Sequence, residues 1–129
     1  MERQGGRESR KRLRAILLAQ AAYYVTTGIW PFASLRTFLR VTGRKTDIWL
    51  VRMVGALAAV NGAMLALLIA RRRECAEGAT LAVLSALAFG AVETSYALRG
   101  TIGRIYLADA AVEAAFLWNA ASYYRAARR

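Results

Sequence analysis

The chain has no histidine, a single cysteine at Cys75 and a single proline at Pro31. Without histidine and with one thiol, it lacks the ligand sets that usually bind zinc, haem or iron–sulfur clusters, and it cannot form a disulfide framework. Its only lysines, Lys11 and Lys45, lie outside the apolar stretches, which argues against a retinal-type Schiff base. The composition therefore predicts no metal and no cofactor, and it identifies no catalytic residue.

The charged residues form short clusters between long apolar stretches. The 129 residues include 19 basic and 8 acidic side chains, a net charge of +11, and 57% hydrophobic residues. A soluble domain would scatter its charges along amphipathic elements. A nucleic-acid site would display basic residues together on a soluble surface, so no nucleic-acid partner is predicted. The pattern predicts one all-α, polytopic membrane domain.

The apolar stretches predict four transmembrane helices. Their expected spans are 13–30, 48–70, 79–98 and 102–124. At ~1.5 Å per residue each is long enough to cross ~30 Å of hydrocarbon. Pro31 should end the first helix because it has no N–H for a further turn. The connections at 71–78 and 99–101 are short, so neighbouring helices should run antiparallel as an up-and-down four-helix bundle.

Basic tails are expected at both ends of the chain, at 1–12 and 125–129, and the first should be solvated and partly disordered. The face that carries both termini would hold about twice as many basic residues as the opposite face. The positive-inside rule then predicts a bacterial cytoplasmic membrane with both termini in the cytoplasm. A cleaved signal peptide is an alternative for the first stretch, since Ala19, Gln20 and Ala21 fit a cleavage site.

Residues 32–42, between the first two spans, are too polar to cross a membrane. Their larger apolar side chains share one helical face: Phe32, Leu35, Phe38 and Leu39. An amphipathic helix along the outer interface is therefore expected. Two interpretations stay open: a lid over an opening between the helices, or a connector held at the membrane surface.

Ionisable residues inside the spans are the main candidates for function, because a charge at membrane depth costs a few kcal/mol unless it is paired or solvated. Arg52, Glu93 and Asp109 should lie at similar depth, ~6–11 Å below the outer interface. Glu113 should lie one turn deeper on the face of Asp109. Arg52 is expected to pair with Glu93, Asp109 or both.

The faces of the predicted helices place these groups in the bundle interior. Small residues recur at three- and four-residue steps along the faces of Arg52 and Glu93, which favours close helix contact. On the second span they are Ala56, Ala59, Ala63, Ala66 and Ala70, and on the third Ala79, Ala82, Ala86, Gly90 and Ala97. The first span would add Gln20, Tyr24 and Thr27, with Tyr23 alongside. A polar pocket in the outer half of the bundle is predicted.

Two interpretations of this pocket stay open. With one arginine for three acids, Asp109 and Glu113 are expected to share a proton. The group would then bind a protonated or hydroxylated lipid-like ligand, relay protons or supply acid–base catalysis. Alternatively, it is an ion-paired network that fixes helix packing. Asn61 marks a subunit contact or bonds a neighbouring backbone, and Cys75 is a reactive thiolate or an incidental thiol.

Three strings in the first half of the chain carry a family resemblance: Gly28-Ile29-Trp30-Pro31, Val41-Thr42-Gly43, and Trp49-Leu50-Val51-Arg52 followed by Gly55 and Gly62. With these, the chain resembles small bacterial four-helix membrane proteins of the DoxX-like kind. The resemblance implies a four-helix bundle with no settled activity, and it transfers no catalytic residue. Small multidrug transporters have a similar size, but their essential intramembrane acid lies in helix one, where this chain has Gln20.

The predicted function is that of a small integral membrane accessory or ligand-binding protein. It would act with a lipid, a hydrophobic small molecule or a larger membrane complex. The expected partners are membrane lipids, another membrane protein or a second copy of the chain, and a hydrophobic small molecule. The alternative is a membrane enzyme or carrier that uses the acid cluster on a hydrophobic substrate.

Overall fold

A computed structural model describes residues 2–72 and 76–127, which form five α-helices and no strand. The helices are α1 Glu2–Ala33, α2 Leu35–Thr42, α3 Ile48–Ala70, α4 Ala76–Leu98 and α5 Ile105–Ala127. The prediction of an all-α protein is confirmed. α3 has the predicted bounds.

The first helix is longer than expected at both ends. α1 includes the basic segment from Glu2 onward, so the predicted disorder of this tail is wrong for its described residues. Arg, Lys, Glu and Gln are good helix formers, and extending an existing helix adds one hydrogen bond for each residue ordered. Pro31 lies inside the last turn instead of ending the helix. The turn continues because the Ser34 amide donates to the Trp30 carbonyl at 2.9 Å.

Turns and caps account for the other shifted bounds. α2 begins at Leu35, three residues later than expected, and the hydroxyl of Ser34 caps it by accepting from the Thr37 amide. α4 begins three residues earlier than predicted. α5 begins and ends three residues later, because residues 99–104 form a turn in which Gly100 adopts a φ of +72°. A positive φ is strained for residues with a Cβ, and glycine adopts it freely.

Glycines set the closest helix contact, between α1 and α3. A Cβ placed on Gly28 would lie 2.4 Å from the Gly55 carbonyl oxygen and 2.6 Å from the Ala59 amide nitrogen. A Cβ placed on Gly62 would lie 2.7 Å from the Ala21 carbonyl oxygen. The interior face predicted for the second span is therefore wrong, since Arg52 and most of its alanines are exposed. These exposed alanines are Ala56, Ala63, Ala66 and Ala70.

The small-residue face predicted for the third span does lie in the interior. Ala79, Ala82 and Ala86 of α4 are buried. α1 packs on α3 and α4 packs on α5, and the two pairs meet mainly where α1 contacts α5. A continuous apolar core fills the end of the bundle that carries both termini. It includes Leu13, Leu17, Ala21, Leu65, Ile69, Ala79, Ala82 and Ala120.

Two helices, α3 and α4, are long and apolar enough to cross a membrane. Their most apolar windows have mean hydropathies of 2.1 and 1.5. Large apolar side chains project outward from both helices. Exposed examples are Trp49, Leu57, Val60 and Met64 of α3, and Leu84, Leu87 and Val92 of α4. Exposed apolar side chains on neighbouring helices are typical of surfaces that contact lipid or a partner protein.

Candidate functional site

A cavity of about 860 Å³ lies between the helices at the end opposite the termini. α1, α3, α4 and α5 all contribute to its walls. Phe38 and Thr42 of α2, together with loop 43–47, also line it. The volume lies within the ~300–1,000 Å³ that is usual for ligand sites.

Three carboxyl groups of α4 and α5 line this cavity, those of Glu93, Asp109 and Glu113, and Asp47 of loop 43–47 lines it as well. Glu113 is only 2% exposed, and the Tyr24 hydroxyl donates to its Oε2 at 2.7 Å. The Tyr23 hydroxyl donates to Asp109 Oδ1. The folded chain places these three acids around one cavity, and two adjacent tyrosines of α1 donate to Asp109 and Glu113.

Glu93 completes the acidic side of the cavity. Its carboxyl group lines the same cavity as the Asp109 carboxyl group, and the two interact electrostatically. Its Oε2 is shielded from solvent and has no hydrogen-bond partner among residues 2–72 and 76–127. Two neighbouring carboxylates repel each other when both are ionised, so this pair favours a bound cation.

Gln20 supports the site without lining the cavity. It is fully buried, and its Nε2 donates to the Tyr24 hydroxyl and to the Ala82 carbonyl, each at 3.0 Å. The hydrogen-bonded path from Glu113 thus runs through Tyr24 to Gln20 and ends on the backbone of α4. Gln20 and Tyr24 therefore belong to the cluster, as the polar stripe on the first span predicted.

Arg52 does not join the cluster. It is exposed on α3, does not line the cavity and pairs with no described acid. The close glycine contacts of Gly55 and Gly62 set the rotation of α3 about its axis. That rotation directs Arg52 away from the acids, so the predicted ion pair with Glu93 or Asp109 is wrong.

We expect Arg52→Ala to change the free energy of unfolding by less than ~0.5 kcal/mol, as is usual for an exposed side chain. Breaking a buried ion pair would instead cost ~3–5 kcal/mol. Equilibrium unfolding in mixed detergent micelles distinguishes the two values. If Arg52→Ala lost several kcal/mol and Asp109→Asn recovered part of that stability, Arg52 would belong to the cluster.

Within the described chain, the basic residues that line the cavity lie only at its rim. Arg44 and Lys45 of loop 43–47 line the cavity. Lys45 Nζ donates to the Thr42 carbonyl at 3.1 Å and lies 4.9 Å from the ring centre of Tyr106. The sequence offered no signal for these rim residues, because an irregular loop has no periodicity to read.

α2 is held over the cavity by aromatic and polar contacts with the end of α1. Trp30 Nε1 donates to the Thr37 hydroxyl at 2.8 Å, and its ring meets the ring of Phe38 edge-on with centres 5.6 Å apart. The predicted interfacial helix thus forms part of the cavity wall. Whether it opens as a lid stays a prediction.

Asn61 makes a contact that neither earlier interpretation named. Its Nδ2 donates to the Ser85 hydroxyl at 2.6 Å, which links α3 to α4. Cys75, the candidate thiolate, lies outside the described residues. Among the residues described, no group of three or more His, Cys, Asp or Glu side chains is placed to hold a metal ion.

Comparisons with protein-family models, with curated proteins and with solved structures give no match for this chain. The resemblance to DoxX-like proteins therefore stays a prediction. The geometry of the cavity is what bears on function.

Proposed function

We propose that α1, α3, α4 and α5 cross the cytoplasmic membrane of a bacterium, with both termini in the cytoplasm and α2 along the outer surface. The apolar surfaces of α3 and α4 support this topology. α1 and α5 are less apolar because they carry Gln20, Tyr24, Asp109 and Glu113, but these side chains face the interior and not the lipid. Polar groups inside membrane bundles typically face the interior or a cavity.

Cysteine labelling tests this topology. In a Cys75→Ser background, Thr46→Cys should react with a membrane-impermeant maleimide on intact spheroplasts, since loop 43–47 would face outward. Glu8→Cys, near the other end of the bundle, should react only after the membrane is permeabilised. The opposite pattern would reverse the orientation, and labelling of both sites on intact cells would contradict the four-span arrangement.

We propose that the protein binds a hydrophobic small molecule or lipid in the outer cavity. One observation carries the proposal: a ligand-sized cavity joins apolar walls to the carboxyl groups of Glu93, Asp109 and Glu113. An ion-paired scaffold would need a cation among these acids, and Arg52, the cation predicted for that role, lies elsewhere. Sites that combine apolar walls with a few convergent polar groups are typical of small-molecule binding.

The closed end of the bundle favours binding over transport. Between the cavity and the end that carries the termini lie Leu13, Leu17, Leu65 and Ile69, all buried. The polar path from Glu113 ends at the Ala82 carbonyl within the described chain. A carrier needs a route to both faces, whereas a binding protein needs access from one side only.

A large side chain placed in the cavity tests the binding proposal. Ala58 lines the cavity, whereas Ala56 of the same helix is exposed and does not line it. Ala58→Trp should abolish saturable labelling of the purified protein by a photoactivatable long-chain alcohol, and Ala56→Trp should leave it unchanged. Equal labelling of the wild type and both folded variants would place the probe on the lipid-facing surface and overturn the proposal.

A further inference from the structure

The chemical class of the ligand follows from the charges and the shape of the cavity. We propose that the ligand is an amphiphile with a protonated amine, which binds to Glu93, Asp109 and Glu113 while its apolar chain extends toward lipid between α3 and α4. This inference rests on the proposed function, since it requires that the cavity bind a ligand.

The three acids in the inner part of the cavity accept fewer hydrogen bonds from the described residues than their oxygens can accept. Tyr23 and Tyr24 each donate one hydrogen bond, to Asp109 and Glu113, and Glu93 Oε2 has no partner among the described residues. A protonated amine carries three N–H donors and one positive charge. It would supply the missing donor at Glu93 and reduce the repulsion between the carboxylates.

Other headgroups fit this part of the cavity less well. A carboxylate or phosphate at this depth would add negative charge beside three acids. A hydroxyl group would bring one donor and no charge. The described basic residues of the cavity, Arg44 and Lys45, belong to loop 43–47, and Lys45 already bonds the Thr42 carbonyl. The acids therefore select for a cation.

The apolar chain of the ligand has an exit toward lipid. Val54 of α3 and Val92 of α4 both line the cavity, yet they are 47% and 57% exposed. The wall between these two helices is therefore open to the outer surface. α3 and α4 pack on each other far less extensively than α3 packs on α1, which leaves room for a chain.

A set of probes with one chain length and different headgroups tests the charge selection. Dodecylamine, 1-dodecanol and dodecanoate should be titrated into the full-length protein in a neutral maltoside detergent and followed by calorimetry. We expect dodecylamine to bind at least about tenfold more tightly than dodecanol, as expected when a charge-assisted bond replaces a neutral one. Dodecanoate should bind most weakly.

Variants that each remove one carboxyl charge identify the acids that produce the preference for the amine. Glu93→Gln, Asp109→Asn and Glu113→Gln should each reduce the preference for the amine over the alcohol while leaving dodecanol binding intact. Glu8→Gln, which removes an exposed acid near the other end of α1, should leave the preference unchanged.

The outcomes separate the two proposals. If no probe binds wild type, the proposed function fails. If the amine, alcohol and acid bind with equal affinity and the variants change nothing, ligand binding stands and the amine inference is overturned. If a variant fails to fold, the affinities of the three probes for the wild type still test the amine inference.

Discussion

Gly28→Leu is expected to cause the largest loss of stability of any single change in the bundle. A Cβ at this position would lie 2.4 Å from the Gly55 carbonyl oxygen and 2.6 Å from the Ala59 amide nitrogen. Both are backbone atoms, so they can yield only if α3 moves away from α1. We expect a loss of ~3 kcal/mol or more in the free energy of unfolding, at or above the upper end for overpacking.

Unfolding in mixed detergent micelles measures this loss, and Gly5→Leu is the matched control. Gly5 lies on the same helix with nothing within 4 Å of its added Cβ. That variant should be at least as stable as the wild type, because leucine favours a helix more than glycine does. If Gly28→Leu is as stable as Gly5→Leu, the close approach of α1 and α3 is not needed for the fold.

Tyr24→Phe should cause the second largest loss. The Tyr24 hydroxyl donates to Glu113 and accepts from Gln20, and all three side chains are buried. Without it, the carboxyl of Glu113 loses its donor and Gln20 loses an acceptor. We expect a loss of ~1–2 kcal/mol, the upper part of the range for hydrogen bonds between transmembrane helices.

A double-mutant cycle of Tyr24→Phe with Glu113→Gln measures the coupling, which should exceed ~0.5 kcal/mol. Tyr23→Phe is the matched control, because Tyr23 is only half-buried and contacts Asp109 instead. Additive losses for Tyr24 and Glu113 would show that the two side chains do not share a network.

Much of the site follows from local properties of the sequence. The apolar length of α3 sets its bounds, because helix formation and burial in an apolar medium depend on consecutive residues. Counting residues from the helix ends brings Glu93 and Asp109 to similar depths and Glu113 one turn deeper, since all α-helices rise by ~1.5 Å per residue. The polar stripe of α1 places Gln20 and Tyr24 among them.

The sequence does not decide how α3 is rotated about its own axis, and so which of its faces packs on α1. The helix has an alanine stripe in line with Arg52 and a second small-residue stripe through Gly55 and Gly62. Glycine allows a closer backbone approach than alanine, so the glycine stripe packs on α1 and Arg52 is left outside. Periodicity alone does not weigh one stripe against the other. The path of loop 43–47 over the cavity also depends on tertiary contacts.

Native mass spectrometry of protein purified from its own membrane tests the presence of a ligand in the cavity most directly. The wild type and Ala56→Trp should retain an adduct of the same mass, and fragmentation should identify it as an amine-bearing amphiphile. Ala58→Trp, which places an indole ring in the cavity, should be recovered folded and without the adduct. A bare wild-type chain, or the same adduct on Ala58→Trp, would contradict the proposal that the cavity is a binding site.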